Sequence, residues 1–546
     1  MKLIELLRRE SDVSLRKLII LAAVSGLSTA LVLAVINAGA ASAAHHEQSK
    51  MLMLAFLAVI ATYFFSLRTF MSMATREVET ILDRLRTRLG DKVRRCDLGP
   101  IEYLGKTVIY AGITKETASI SQAALAVIVG LQAGILIAFT GIYVAVLSPL
   151  AFVLTAITTF IIAKIFLRRA EAVNREQHES LTRENQMFEL LTNMLEGFKE
   201  VRLNRARSDD LFAHFVEISN SSMRLRTRTM AQVSTTFILS QVAFYVLMGV
   251  IVFIVPRFSL TYTDEIVKIA TAVLFLTGPL SGLISIVPAM AASNASVENI
   301  DRLDAALDRS LSARDKRNVA VPPLTKFREI SLERVVFRYE DAAGASFGVG
   351  PIDFTIRAGE TVFIAGGNGS GKSTFLKLFT MLYFPQHGVV KLDGEVVGPA
   401  LHEAYQSLFS TVFTDFHLFD RLYGLLDVPD EEVNRRLESI EMTGKTRVVD
   451  SAFETLELST GQRKRLALLI SILEDRAIYI FDEMAADQDP AFRRKFYKEI
   501  LPLLKQHGKT VLAVTHDDKY FGDADRLLKM DEGRLVPYTH PAAVSN

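Results

Sequence analysis

Thr361-Val362-Phe363-Ile364-Ala365 leads directly into Gly366-Gly367-Asn368-Gly369-Ser370-Gly371-Lys372-Ser373-Thr374. The first part reads as a short buried strand. The second fits G-x-x-x-x-G-K-S and opens a helix near Thr374. Its glycines allow a tight loop whose backbone N–H groups, with those of the helix terminus, surround phosphate oxygens. Gly366, Asn368, Gly369, Ser370, Gly371 and Thr374 belong to that cradle. Lys372 is placed to reach the β- and γ-phosphates and Ser373 to ligate Mg²⁺. Strand, spacing and helix agree, so this part of the chain is expected to be an α/β P-loop ATPase using ATP and Mg²⁺.

Two later strands support the same chemistry. The apolar run 477–481 ends in Asp482-Glu483. Asp482 is suited to hold Mg²⁺ directly or through water, and Glu483 to position or deprotonate the water that attacks the γ-phosphate. The run 510–514 leads to Thr515-His516-Asp517-Asp518. His516 is a candidate to donate toward a γ-phosphate oxygen or to orient Glu483.

The N-terminal half has a different character. Half of the residues are hydrophobic, and they concentrate in long uncharged runs ahead of Val319. About 20 apolar residues cross the roughly 30 Å of bilayer hydrocarbon. Residues 18–41, 51–65 (running on toward Met73), 123–147, 150–167, 233–255 and 266–290 are therefore expected as six membrane helices. Arg8, Arg9, Arg16 and Lys17 before the first run, with small residues at its end, imitate a secretory signal peptide. The run is long for such a leader, and its loss would leave an odd number of spans, so it is read as retained. Those residues, the arginines between Arg76 and Arg95, and Arg168, Arg169 and Arg175 mark the cytoplasmic side. Both termini and the ATPase are placed there. Residues 68–122 and 168–232 carry apolar side chains at helical spacing, as at Phe188, Leu190, Leu191, Met194 and Leu195, and are expected to extend the helices into the cytoplasm. Gly278-Pro279 is a candidate bend in the last span. Lys164 and Lys268 lie near span ends, so no buried proton relay is expected. Asn37, Gln132 and Gln241 are read either as facing a cavity or as bonding between helices.

Lys plus Arg number 62 against 61 for Asp plus Glu. That balance leaves no basic excess for a phosphate backbone, and no nucleic-acid partner is expected. Cys96 is the only cysteine, which excludes a disulfide framework within the chain.

Leu458-Ser459-Thr460-Gly461-Gln462-Arg463 resembles the signature loop of ATP-binding-cassette proteins. The resemblance implies an all-α six-span membrane domain (1–308), a linker (309–326) and a cassette (327–546). The cassette would combine the P-loop core with an antiparallel β subdomain and a helical signature subdomain. It also implies a homodimer in a lipid bilayer, whose two cassettes close head to tail. Ser459, Gly461 and Gln462 of one subunit would then serve the γ-phosphate of the other, Tyr339 would stack on adenine, and Asp489 would join the two sites. A heterodimer with a related half-subunit is the rival assembly. Phe409-Ser410-Thr411-Val412-Phe413-Thr414-Asp415-Phe416 departs from the family, because Thr414 stands where a magnesium-coupling glutamine is usual; Asp415 is the candidate substitute metal ligand. That run, with 466–475, 481–490 and 516–521, resembles the bacterial exporters of cyclic peptides, peptide siderophores and related antimicrobial peptides. An inner-membrane exporter of cyclic or modified peptides is expected. A lipid or hydrophobic-drug exporter is the alternative.

Overall fold

The computed structural model describes residues 2–10, 15–44, 50–254, 256, 266–310, 322–339 and 347–538. Two compact units are present, Met1–Arg94 with Leu104–Asp308 and Arg95–Tyr103 with Arg309–Asn546. Residues 95–103 thus pack with the second unit, although they lie within the stretch that the sequence assigns to the membrane region. Of the expected outer loops and linker, residues 45–49, 257–265 and 311–321 lie outside the described residues.

The first unit is helical. Among the described residues, four stretches have the length and apolarity to cross a membrane, Ile20–Ala40, Lys50–Arg95, Lys106–Leu147 and Arg205–Ile254; Pro149–Ile165 and Ile266–Pro279 are apolar but shorter. The six expected spans therefore correspond to four of clear membrane length and two short ones. The last is interrupted, with helices Ile266–Phe275 and Thr277–Ser310 on either side of Leu276. Pro279 has no N–H, and its ring opposes the carbonyl four residues back, at Phe275, which is where the first helix stops.

Helix Lys50–Arg95 has 46 residues, or about 70 Å at 1.5 Å per residue, more than twice the hydrocarbon thickness. Its second half buries Phe70, Ala74, Val78, Ile81, Leu82, Leu85 and Leu89, a stripe recurring every three or four residues. Lys92 fastens this end to helix Thr277–Ser310 through Asp304 and Asp308, each at 2.6 Å. Helix Pro149–Glu196 starts where the Ser148 hydroxyl accepts the N–H of Ala151, with proline in the first turn. Asn204 caps helix Arg205–Gly249 in the same way. The stripe expected around Phe188 is only partly covered. Leu190 is buried, whereas Phe188, Leu191 and Leu195 are exposed in the single chain. Asn37 bonds between helices, donating to the Tyr143 hydroxyl at 3.1 Å and to the Lys268 carbonyl at 3.3 Å.

The second unit holds two principal sheets. Strands β1 (Glu329–Arg338), β2 (Gly348–Arg357), β4 (His387–Leu392) and β5 (Glu395–Val396) form an antiparallel sheet in the order β2-β1-β4-β5. Strands β3 (Thr361–Ala365), β6 (Phe409–Val412), β9 (Ile478–Asp482), β10 (Thr510–Val514), β11 (Arg526–Asp531) and β12 (Arg534–Pro537) form the other, ordered β12-β11-β3-β10-β9-β6. All its pairings are parallel except β11 with β12. Every residue of β3, β9 and β10 is buried, as expected of strands covered on both faces. Alternation divides them between two cores. Val362, Ile364, Ile478, Ile480, Leu512 and Val514 face Phe354, Phe375 and Phe379, while Phe363, Tyr479, Phe481, Val511 and Ala513 face Leu466, Leu468 and Leu469 of helix Thr460–Leu473. That helix, Asp430–Ser439 and the small hairpin β7 (Val448–Val449) to β8 (Ala452–Phe453) make the helical subdomain.

Candidate functional site: a phosphate loop at the strand ends

In register, Val514 lies opposite Asp482 on one side and Ile364 on the other. The carboxyl ends of β3, β9 and β10 therefore open into one crevice, the usual ligand position of a parallel sheet, and bring 366–374, 482–483 and 515–516 together. Gly371 precedes helix Lys372–Phe379 with φ of 105°. A Cβ there would lie 2.8 Å from Val349 Cγ2, so both conformation and space require glycine.

Lys372 is buried, and its ammonium donates to the carbonyls of Gly366 and Gly367, each at 3.0 Å. It also lies 3.7 Å from Glu483 Oε1. The same Oε1 is 3.0 Å from His516 Nε2. Glu483 holds φ of 53°, a left-handed conformation uncommon for a side-chain-bearing residue. Its N–H donates to the Val514 carbonyl at 3.1 Å, which keeps the carboxylate at the strand ends. A carboxylate between an ammonium and an imidazole can polarise a water.

Beside them, Asp482 Oδ2 accepts from the Ser373 hydroxyl at 2.9 Å and from the Thr414 hydroxyl at 2.8 Å. Asp482 is buried, yet among the described residues its Oδ1 has no hydrogen-bond partner, and neither has the buried Ser370 hydroxyl. Buried polar atoms are rarely orphaned. One free carboxylate oxygen next to two hydroxyls suits a hard cation with oxygen ligands. Ser373, Asp482 and Thr414 would hold Mg²⁺ here, which would supply positive charge to offset the negative charge of the phosphates. Asp415 is exposed and makes no hydrogen bond to Asp482 among the described residues.

The Tyr339 hydroxyl shares a hydrogen bond of 3.1 Å with that of Thr374. Its ring stands edge-on to Phe337 and Tyr383, with centroids 5.2 and 6.0 Å away, leaving an aromatic surface beside the loop. Tyr383 extends this cluster to the short helix Leu98–Leu104. It donates to Glu102, which also accepts from Lys377 at 2.9 Å. Burial, and then the hydrogen bond to Glu102, push the Tyr383 phenol well above its usual range, so it stays a donor.

Ser459 and Gln462 satisfy each other at the start of helix Thr460–Leu473, in a capping box. Neither they nor Gly461 hydrogen-bonds to 366–374 among the described residues. The sequence-read residues thus fall into two groups, one assembled at the strand ends and one at a separate helix terminus. Asp489 caps helix Pro490–Lys495. The backbone N–H of Phe492, and then Arg465, hold its carboxyl below the usual range.

Sequence reading did not find Lys464, Tyr383 or Glu102. Lys464 follows the signature as one of several basic residues and carried no distinguishing signal, and Glu102 lies far along the chain from its partners.

The ABC transporter family model matches residues 349–486. Over 472 residues the chain is 33% identical to the ATP-binding protein SyrD of Pseudomonas syringae pv. syringae, covering 84% of this chain and 82% of the relative. The chain belongs to the ABC transporter family. It is 27% identical over 413 residues to an ATP-dependent lipid A-core flippase of Cupriavidus pinatubonensis, covering 72% of this transporter and 68% of the flippase. It is 30% identical over 236 residues to the energy-coupling factor transporter ATP-binding protein EcfA1 of Mycoplasma mycoides subsp. mycoides, covering 40% of this chain and 56% of that one. The transporter is accordingly an ATP hydrolase dependent on Mg²⁺, in a multi-pass membrane protein whose nucleotide-binding domain is cytoplasmic.

Proposed function

We propose that this transporter works as a homodimer of six-span subunits that exports cyclic or modified peptides, such as a peptide siderophore or an antimicrobial peptide, across the bacterial inner membrane. The termini and cassettes would be cytoplasmic, with residues 1–308 as the membrane domain, 309–326 as linker and 327–546 as cassette. The carrying observation for the assembly is the separation of half-sites. One chain has one phosphate loop and one signature motif, and the two do not bond to each other among the described residues, which supports a second subunit completing each ATP site, a second copy in this reading and a related half-subunit in the rival one. Exposed apolar side chains at Phe188, Leu195 and Leu203, outside the apolar spans, give a partner something to cover. Within each site Glu483 acts as base, His516 orients it, Tyr339 stacks on adenine, and Ser459, Gly461 and Gln462 close on the γ-phosphate of the partner's ATP. The peptide reading of the cargo rests on the unusual run 409–416 and the accompanying cassette segments. The flippase relatives favour the second reading, a lipid or hydrophobic-drug exporter.

In sealed inside-out vesicles, a cyclic peptide or peptide siderophore is expected to stimulate ATP hydrolysis and to accumulate in the lumen with ATP. Saturable lipid movement with no response to any peptide would replace the first reading by the second.

The metal site carries its own test. The Thr414 hydroxyl on Asp482 supports Thr414, rather than Asp415, as the substitute for the missing glutamine. Thr414→Val is expected to weaken Mn²⁺ binding in the presence of ADP by about 10-fold, the lower range for loss of a metal's supporting partner. Asp415→Ala should leave it nearly unchanged. Electron paramagnetic resonance titration of Mn²⁺ distinguishes these, and the reverse order would return the role to Asp415.

A further inference from the structure

Lys464 lies in the first turns of helix Thr460–Leu473 and is 3% exposed. Its ammonium is 2.9 Å from the Glu483 carbonyl oxygen and 2.6 Å from Asp487 Oδ2. A buried ammonium is costly unless paired and hydrogen-bonded, so Lys464 holds these two groups in place. Both backbone polar groups of Glu483 are then engaged: its N–H donates to Val514, and its carbonyl accepts from the Ala486 N–H at 3.2 Å and from the Lys464 ammonium, the only side chain on it among the described residues. That clamp maintains the left-handed φ of 53° and thereby the direction in which the carboxylate leaves the strand end.

The neighbouring contacts make the same connection. Arg465 donates to Gln488 Oε1 at 2.9 Å and pairs with Asp489, while Gln488 Nε2 donates to the Gly461 carbonyl at 2.9 Å. Gly461 lies so close to this segment that a Cβ would be 2.7 Å from the Asp487 carbonyl oxygen. The first turns of the signature helix and residues 483–489 are therefore tied together by several contacts, and Lys464 is the one that reaches the residue read as the base.

We propose that Lys464 is a positioning residue for hydrolysis: it fixes the backbone of Glu483 and transmits engagement of the signature motif to it. The second part rests on the head-to-tail dimer proposed above. There the signature motif touches the partner's ATP while Glu483 serves the ATP of its own chain, so Lys464 links the two sites within a single subunit.

The test uses the full-length transporter in lipid discs. Lys464→Met keeps an unbranched chain but removes charge and donor. It is expected to lower kcat at least 10-fold, to change the KM for ATP less than 3-fold, and to bring the Hill coefficient for ATP from above 1 to about 1. Lys464→Gln restores a donor toward the Glu483 carbonyl and should recover at least fivefold of the lost kcat. A purely structural lysine would lower the folded fraction and ATP affinity together and would not be rescued by glutamine. Should Lys464→Met fail to fold, Asp487→Asn loosens the ammonium from a half-exposed partner and should lower kcat severalfold with KM unchanged. ATP-dependent cross-linking between Asn368→Cys of one subunit and Ser459→Cys of its partner, in a Cys96→Ser background, tests the dimer separately. No cross-link in otherwise wild-type protein overturns the head-to-tail reading. A cross-link, with kcat and Hill coefficient unchanged in the Lys464 and Asp487 variants, overturns the role of Lys464.

Discussion

Glu483→Gln is expected to slow steady-state ATP hydrolysis on the order of 10²–10⁴-fold, the usual contribution of a positioned general base, while ATP binding persists. Glutamine preserves the shape of the side chain, and its amide can still meet His516 Nε2, now 3.0 Å from Glu483 Oε1. It cannot take a proton from water. The charge beside Lys372, at 3.7 Å, is also lost, which removes a competitor for the lysine and favours its attachment to phosphate. Binding should therefore hold or tighten as turnover collapses. In the proposed head-to-tail dimer, a retained γ-phosphate would keep Lys372 and His516 of one subunit bridged to Ser459 and Gly461 of the other, and closed cassettes are expected to accumulate. Paired spin labels on the cassettes and on the cytoplasmic ends of the spans are expected to report long-lived closure with ATP and Mg²⁺. Rapid multiple turnover would remove Glu483 from the role of base. Tight binding without approach of the cassettes would remove the signature loop from the role of clamp.

Lys372→Ala should have the second-largest effect, lowering kcat on the order of 10²–10³-fold, as loss of one preorganised donor to developing charge does, and weakening ATP binding as well. Its ammonium lies 3.7 Å from Glu483 and is held by the Gly366 and Gly367 carbonyls. The two carbonyls lose net hydrogen bonds worth about 0.5–1.5 kcal/mol each, too little to unfold a cassette with two well-filled cores. Thermal melting should show a modest shift, and titration with a fluorescent ATP analogue a large loss. Wild-type turnover in a folded Lys372→Ala protein would move the phosphate site elsewhere.

The contrast between these variants and Thr414 shows which features were open to sequence reading. Lys372 and Ser373 are fixed to the glycines by adjacency, so the motif carried its own geometry. The choice between Thr414 and Asp415 turned on which side chain faces Asp482, 68 residues away. Asp415 is a candidate ligand because it can supply an oxygen; in the fold it is the Thr414 hydroxyl that donates to Asp482, at 2.8 Å, and both residues are exposed. The last apolar run was similarly read as one span with a candidate bend at Gly278-Pro279. The helix is interrupted at Leu276, just after the Phe275 carbonyl that Pro279 leaves without a donor, in keeping with that bend.

By itself the sequence determined the two-part plan, the apolar runs, the phosphate loop and the acidic and histidine residues that end buried strands. Each depends on contiguous residues or on a short period, so physical constraints of helix, strand and loop make them local. Tertiary structure alone decided that residues 95–103 join the cassette, where Glu102 meets Tyr383 across 281 positions. It alone decided that Lys464 holds the backbone of Glu483. Such contacts are set by the order of strands in a sheet and by which helix covers which face, and a parallel sheet gathers at one edge side chains that the chain itself keeps far apart.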